Sequence, residues 1–167
     1  MIRMKAALVE KARAPLIVDE VELDDPHEGE VQVKIVASGV CHSCLHAADG
    51  SWSEIPVPIV LGDEGAGIIA KVGKGVTDLK EGDHAILSWA PSCGQCHYCV
   101  TGRPVHCEVR ADKPARLADG TTRMRWRGET LYRFGTVASH SEYTTIPSSS
   151  AIKIRDDVPL TTVALIG

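Results

Sequence analysis

Short stretches of alternating apolar and polar residues, separated by glycines, run along most of the chain. The segment EVQVKIVASGV places Val31, Val33 and Ile35 on one side of an extended strand, because side chains alternate between the two faces. Similar segments follow at GAGIIAKVG, DHAILSWA, SEYTTIP and AIKI. Helical spacing is scarce, and CHSCLHAADG predicts one short helix that ends near Gly50. The pattern predicts a mainly β fold with short helices, arranged as a small barrel or sandwich.

One long stretch breaks this pattern. From Val109 to Thr130 the sequence VRADKPARLADGTTRMRWRGET is polar, and we expect it to form a long excursion between strands.

The composition adds limits on size and partners. At 167 residues the chain is long enough for one domain with a core. Its 18 basic and 22 acidic side chains give a net charge of -4 without long runs of either sign, which argues against nucleic acid or an anionic membrane as a partner. The sequence shows neither a signal peptide nor a stretch that could span a bilayer, so we expect a soluble cytoplasmic protein.

Four of the six cysteines lie in the single stretch CGQCHYCVTGRPVHC. Clustered cysteines in a reducing compartment are more often metal ligands than disulfides. The spacing C-x2-C-x2-C-x7-C can surround one tetrahedral ion, and it favours a closed structural zinc site over an iron–sulfur cluster or free thiols. We expect His97 and His106 to be surface residues. The predicted zinc ligands are Cys93, Cys96, Cys99 and Cys107.

Together with GVCHSCLH, LGDEGAG and GVTDLKEGDHA, this stretch resembles the N-terminal catalytic domain of the zinc-dependent medium-chain alcohol dehydrogenases. The resemblance covers almost the whole chain, with the motifs in the family's order. It implies a GroES-like barrel, a structural zinc lobe at about residues 91–108, and a catalytic zinc in a cleft that faces a nucleotide-binding domain.

The same resemblance assigns roles around the segment CHS. Cys41 matches a catalytic zinc ligand, Ser43 the residue that takes the alcohol's proton, and His46 the residue that passes this proton towards solvent. His42 matches a residue near the pyrophosphate of NAD or NADP. A hydroxyl can pass on a proton without holding charge and an imidazole titrates near neutrality, so both residue types suit a proton relay.

Two positions depart from the family pattern. The family's second zinc ligand is a histidine in a G-H-E motif, and here Asp63 stands there, with Glu64 after it. Zinc accepts carboxylate oxygen, so Cys41, Asp63 and Glu64 are the candidate catalytic zinc ligands, although a carboxylate would make the metal less electrophilic. Cys44 replaces an aspartate that in the family orients the ligand histidine. It is either a small buried residue or, with Cys41, one of two thiolates on the same zinc.

Two aromatic residues match the walls of the family's substrate pocket. These are Trp89 and Phe134, and the latter is equally well explained as barrel core. An apolar wall with few polar groups favours a small alcohol or aldehyde over a charged substrate.

The end of the chain bears on activity. The final segment TTVALIG leads, in the family, into the third catalytic zinc ligand and then into the Rossmann domain. We therefore expect residues 1–167 to be a truncated catalytic domain, inactive alone, that needs the missing domain to bind NAD or NADP and to form any homo-oligomer.

Three hypotheses about function follow. The first is the catalytic domain of a zinc-dependent, NAD(P)-linked alcohol dehydrogenase, an oxidoreductase. The second is a non-catalytic zinc-binding module with an altered site. The third is a thiol redox protein that uses Cys41 and Cys44.

Overall fold

A computed structural model describes residues 1–108 and 115–167 of the chain. Within these residues the strands are β1 (Ile2–Val9), β2 (Ile17–Leu23), β3 (Glu30–Ser38), β4 (Ile59–Val60), β5 (Gly65–Val72), β6 (His84–Leu87), β7 (Met124–Trp126), β8 (Glu129–Thr130), β9 (Tyr132–Arg133), β10 (Tyr143–Pro147) and β11 (Ala151–Lys153). They form a six-stranded sheet in the order β8-β7-β2-β1-β4-β9 and a five-stranded sheet in the order β10-β3-β5-β6-β11. Only β4 and β9 run parallel among the described strands. The predicted mainly β, barrel-like fold is confirmed.

The described helices are short. They are α1 (His42–Asp49), α2 (His97–Val100) and α3 (Leu160–Val163), with 3₁₀ turns at Pro104–His106 and Ser148–Ser150. The predicted helix is α1, which follows Cys41 and ends at Gly50 in the left-handed conformation. No helix in the described part of the chain is long and apolar enough to cross a bilayer.

Strand β3 shows the predicted alternation. Val31 and Val33 are completely buried, and Ile35 packs against the same core cluster. On the opposite face Gln32 is also buried, with 1% of its surface exposed, because this end of the strand is covered on both sides. Gly67 pairs with Ile35, and a Cβ there would come 2.2 Å from the carbonyl oxygen of Lys34, so this approach requires glycine.

The prediction of a strandless excursion from Val109 to Thr130 is wrong at its C-terminal end. Residues 109–114 lie outside the described part, but β7 pairs with β2, and β8 pairs with β7. Met124 and Trp126 are buried in the core of the six-stranded sheet. The arginines at 123 and 125 made this segment resemble an exposed loop in the sequence. Arg123, just before β7, is instead buried and makes an ion pair with Glu30 at 2.8 Å.

A second buried arginine lies inside the barrel. Arg133 has no exposed surface, and its guanidinium donates to the carbonyl oxygens of Thr122 at 3.1 Å and Thr145 at 2.7 Å, to the hydroxyl of Thr144 at 3.0 Å and to the carbonyl of Thr136. Burial lowers its pKa to about 9, so it keeps its charge at neutral pH. A buried charge costs stability unless hydrogen bonds replace water. These oxygens do so for the two terminal nitrogens of Arg133, whereas its Nε atom is buried without a hydrogen-bond partner among the described residues.

Candidate metal lobe and active-site cavity

The four cysteines of the sequence motif converge in space. Their sulfur atoms all lie within 4.8 Å of one another, and the Sγ atoms of Cys93 and Cys99 are 3.9 Å apart. Cys107 is buried and the other three are half-buried, and none of the six cysteines of the chain forms a disulfide. Gly94 and Gly102 have φ angles of 72° and 78°, which let the backbone turn tightly around the sulfur cluster.

Backbone N–H groups point at these sulfurs. The N–H of Cys93 donates to Cys107 Sγ at 3.4 Å, and that of Cys96 donates to Cys93 Sγ at 3.3 Å. The hydrogen bond from the backbone of Glu108 lowers the pKa of Cys96 to about 6, whereas burial raises the pKa of Cys99 to about 11. Four sulfur donors with backbone hydrogen bonds around them match the chemistry of a closed tetrahedral metal site.

The two histidines of the lobe are exposed, as predicted. His97 and His106 contact the ring of Tyr98, with centroid distances of 5.5 Å and 5.7 Å. Neither belongs to the converging set of metal-ligand side chains found among the described residues.

Five of the other predicted site residues line a separate cavity of about 450 Å³: Cys41, Ser43, Asp63, Trp89 and Phe134. Two loops build it: the start of α1, where Cys41 is the N-cap residue, and the loop between β4 and β5 that carries Asp63. The predicted walls, Trp89 and Phe134, face the same cavity. Its full lining is Cys41, Ser43, Trp52, Ile55, Asp63, Trp89, Ala115, Arg133, Phe134 and Gly135.

Asp63 accepts hydrogen bonds on both carboxylate oxygens. The hydroxyl of Ser43 donates to Oδ2 at 2.6 Å, and the thiol of Cys44 donates to Oδ1 at 3.6 Å. Burial, with a smaller contribution from the Asp63 charge, raises the pKa of Cys44 to about 11. Cys44 is therefore a buried, protonated thiol that holds the carboxylate in place.

The candidate donors of the catalytic zinc are only partly brought together. Cys41 and Asp63 line the cavity, but Glu64 does not, and its carboxylate lies against the backbone of Gly39. Catalytic zinc sites have three protein ligands. Among the described residues, the four cysteines of the lobe are the one group of three or more donors placed to hold a metal ion.

Aromatic rings connect the exposed face of α1 with the cavity. His42 is exposed and stacks on His46 with the ring centroids 4.8 Å apart. His46 contacts Trp52 at 5.5 Å, and Trp52 stacks on Phe134 at 6.2 Å with 23° between the ring planes. The sequence analysis missed Trp52, although a lone tryptophan between a helix and the next strand was a usable signal.

Two polar residues outside the sequence motifs join the cavity-forming loops. The hydroxyl of Ser139 donates to the carbonyl oxygen of Glu64 at 2.6 Å. The backbone N–H of His140 donates to the carbonyl oxygen of Leu61 at 3.0 Å. The Nε2 atom of His140 lies 3.1 Å from the carbonyl oxygen of Gly39. A carbonyl only accepts, so Nε2 carries the proton and ties the segment before Cys41 to the loop before Asp63.

Three features define the class of zinc-binding, GroES-like oxidoreductase domains. They are a barrel-like β fold, a four-cysteine lobe and a cavity with polar groups at the start of α1. The chain belongs to the family of alcohol dehydrogenase GroES-like domains, whose model matches residues 27–156.

Curated relatives support the same conclusion. The chain is 42% identical over 99% of its length to the NDMA-dependent alcohol dehydrogenase of Amycolatopsis methanolica. It is 37% identical over 100% of its length to the class-3 alcohol dehydrogenase of Dictyostelium discoideum. In both comparisons the chain spans 45% of the relative.

Solved structures share the fold. The TM-score is 0.92, at 33% identity, with an alcohol dehydrogenase zinc-binding domain protein from Burkholderia ambifaria, and 0.90, at 30% identity, with the benzyl alcohol dehydrogenase of Acinetobacter calcoaceticus. These alignments cover 99% and 100% of this chain and 45% of each solved chain.

Proposed function

We propose that this chain is the substrate-binding catalytic domain of a zinc-containing, NAD(P)-linked alcohol dehydrogenase that acts on small alcohols or aldehydes. The observation that carries the proposal is the 2.6 Å hydrogen bond between Ser43 and Asp63 in the wall of an otherwise mainly apolar cavity. Such a cavity binds the carbon skeleton by burial and orients one hydroxyl by its few polar groups.

The residues around this hydrogen bond can move one proton. As the substrate is oxidised, its hydroxyl gives a proton to Ser43 Oγ, while the proton of Ser43 moves to Asp63 Oδ2. His46 lies three residues after Ser43 in α1, on the neighbouring turn, and stacks on exposed His42. It is the proposed group that passes the proton on towards solvent. His42 is the proposed contact to the cofactor pyrophosphate. The nicotinamide cofactor, when bound, supplies the hydride acceptor.

The lobe fits a structural zinc ion, because its four thiols offer the soft, tetrahedral donor set that zinc prefers. The cavity offers Cys41 and Asp63, and both oxygens of Asp63 already accept hydrogen bonds. These donors do not complete a catalytic zinc site, so no step of the proposed reaction depends on one. A catalytic zinc held by Cys41, Asp63 and Glu64 stays a prediction.

A chimera tests the proposed function. Residues 1–167 replace the matching part of the benzyl alcohol dehydrogenase of Acinetobacter calcoaceticus, and reduction of NAD or NADP with primary alcohols, benzyl alcohol included, is followed at 340 nm. We expect the chimera to reduce the cofactor in the presence of an alcohol. Ser43→Ala should lower the rate of this reaction by roughly 100-fold or more, which is the usual size of the contribution from general acid–base catalysis. A chimera that is folded and zinc-loaded but inactive, beside an active parent enzyme, would contradict the proposal.

A further inference from the structure

We infer that the cavity selects an uncharged alcohol or aldehyde carried on an aromatic ring, and that it discriminates against anionic substrates of the same size. This inference rests on the proposed function, since it names the substrate class of the same cavity. Three features of the described lining carry it: two partly exposed indoles, a stacked ring behind one of them, and a carboxylate without an accessible positive charge.

The indoles form the first feature. Trp52 and Trp89 both line the cavity, and 39% and 46% of their surfaces are exposed. Tryptophan is highly buried on average, so two partly exposed indoles at one cavity mark a surface suited to a ligand. A flat aromatic ligand can cover an indole face more completely than an aliphatic chain does.

The orientation of the rings supports the same ligand. Trp52 stacks on Phe134, which is almost completely buried, with the planes only 23° apart. Packing against Phe134 and His46 restricts Trp52, so little side-chain entropy is lost when a ring binds to it. The cavity volume of about 450 Å³ lies within the range of ordinary small-molecule sites, and it has room for a single substituted ring.

The charge of the lining gives the second half of the inference. Asp63 is an acidic member of the lining, and Arg133 is the one basic member among the described residues. The two terminal nitrogens of Arg133 already donate to carbonyl and hydroxyl oxygens of the barrel, and its Nε atom has no partner in the described part of the chain. The whole side chain is completely buried, so it has no exposed surface to offer a ligand. A carboxylate on the substrate would therefore meet the Asp63 charge without gaining a cationic partner, which weakens its binding.

Labelling with 5-fluorotryptophan tests ring selection in the chain itself. The chain has three tryptophans, and Trp126 lies in the core of the six-stranded sheet, outside the cavity lining, so its ¹⁹F signal is an internal control. Benzyl alcohol should shift the signals of Trp52 and Trp89 and leave that of Trp126 unchanged. Its dissociation constant should be roughly two- to tenfold lower than that of cyclohexylmethanol, which has the same carbon skeleton and is more hydrophobic.

Substitutions at Trp52 separate ring contact from mere bulk. Trp52→Leu should reduce the preference for benzyl alcohol over cyclohexylmethanol, because Trp89 is then the one indole left in the described lining. Trp52→Phe should retain more of that preference than Trp52→Leu. The inference would be overturned if the unaltered chain bound benzyl alcohol no more tightly than cyclohexylmethanol. Shifts of the Trp126 signal alone would also overturn it.

The charge discrimination has its own matched pair. Methyl 4-(hydroxymethyl)benzoate is neutral and 4-(hydroxymethyl)benzoate is anionic, and we expect the anion to bind at least about tenfold more weakly. Asp63→Asn should narrow that gap, because it removes the opposing charge and keeps the size of the side chain. Tighter binding of the anion, or a gap unchanged in Asp63→Asn, would contradict this half of the inference.

These measurements need no cofactor and no turnover. Ring selection in an inactive chimera would overturn the proposed function and leave the ligand preference standing. An active chimera whose cavity shows no preference for an aromatic ring would support the proposed function and overturn the inferred ligand preference.

Discussion

At the scale of single residues, the candidate site depends on side chains that hold other side chains in place. Asp63 is fixed by Ser43 and Cys44, one on each oxygen. Each of these contacts joins α1 to the loop before β5. The position of the Asp63 carboxylate is therefore set by where the start of α1 lies relative to the loop before β5. Residues that join these two segments should affect the site without touching a ligand.

His140 provides a test at this scale. His140→Phe removes the hydrogen bond to the Gly39 carbonyl and keeps a planar ring, so the segment before Cys41 should open more often. Losing such a partner in a part-buried site costs about 1–3 kcal/mol, and alkylation of Cys41 by iodoacetamide should speed up by roughly tenfold.

The control for this test is His140→Gln, whose amide keeps an N–H donor. Alkylation of Cys41 is read by peptide mass spectrometry, relative to a reference thiol in a fully unfolded sample. If His140→Phe leaves the Cys41 rate unchanged, the hydrogen bond does not hold the loop.

At the scale of elements, the four-cysteine lobe and the edge of the five-stranded sheet are each held by polar groups. The lobe comprises α2 and the 3₁₀ turn Pro104–His106, and none of the residues in these two elements is buried. Apolar burial therefore contributes little to the lobe, and a bound metal ion would supply most of its folding energy.

Cys99→Ser should consequently release the metal of the lobe. We expect about one zinc ion fewer per chain by elemental analysis, together with faster proteolysis between residues 91 and 107. Cys44→Ser is the matched control, because that thiol lies in the other site. Full zinc content and unchanged protease resistance in Cys99→Ser would rule out the structural zinc assignment.

Strands β6 and β11 share a charge cluster that makes stability depend on pH. Asp83 is almost completely buried and pairs with Lys153 at 2.9 Å and Lys80 at 3.2 Å. The hydrogen bond from Lys153, assisted by those from Lys80, lowers the pKa of Asp83 from its usual 3.8 to about 2. A lowered folded-state pKa contributes stability above pH 4 that is lost as the pH falls towards 2.

Asp83→Asn should therefore be less stable than the unaltered chain at pH 7, and the difference should shrink between pH 4 and pH 2. Urea unfolding at several pH values measures the difference in the free energy of unfolding between the two chains. Effects common to both chains, such as metal release, cancel in that difference. Glu81→Gln, at an exposed neighbouring carboxylate, should show no such trend. A stability difference that is constant from pH 7 to pH 2 would contradict the assigned role of Asp83.

At the scale of the whole molecule, the chain spans 45% of the relatives that it matches. The proposed reaction needs a nicotinamide ring held next to the substrate carbon, and positioning of this kind supplies a large part of an enzyme's rate. In the proposed function the cavity residues of this chain bind and orient the substrate and move its proton, and the placing of the nicotinamide ring is a separate requirement.

The purified 167-residue chain should therefore show no alcohol oxidation above background with NAD or NADP. The assay follows absorbance at 340 nm with primary alcohols, and the parent enzyme of the chimera described above is its positive control. Saturable, cofactor-dependent turnover by the chain alone would show that it holds the nucleotide itself.

Much of the fold was predictable because its signals are local. The alternation in β3, the end of α1 at Gly50 and the converging cysteines depend on residues close together in the sequence. The sequence did not predict strand β7, because the arginines at 123 and 125 are typical of an exposed segment. The partner that allows Arg123 to be buried is Glu30, which lies 93 residues away in the sequence.

The sequence by itself determined the mainly β character, the helix α1 at the candidate site and the four-cysteine lobe. The reason is that strand alternation and ligand spacing depend on residues within short segments. Only the tertiary structure decided the rest. It placed Trp52 on Phe134, closed the Ser43–Asp63 hydrogen bond and buried Arg133 among carbonyls. These contacts join residues up to 82 positions apart, and their energies depend on burial and distance, which are set only once the two sheets have packed.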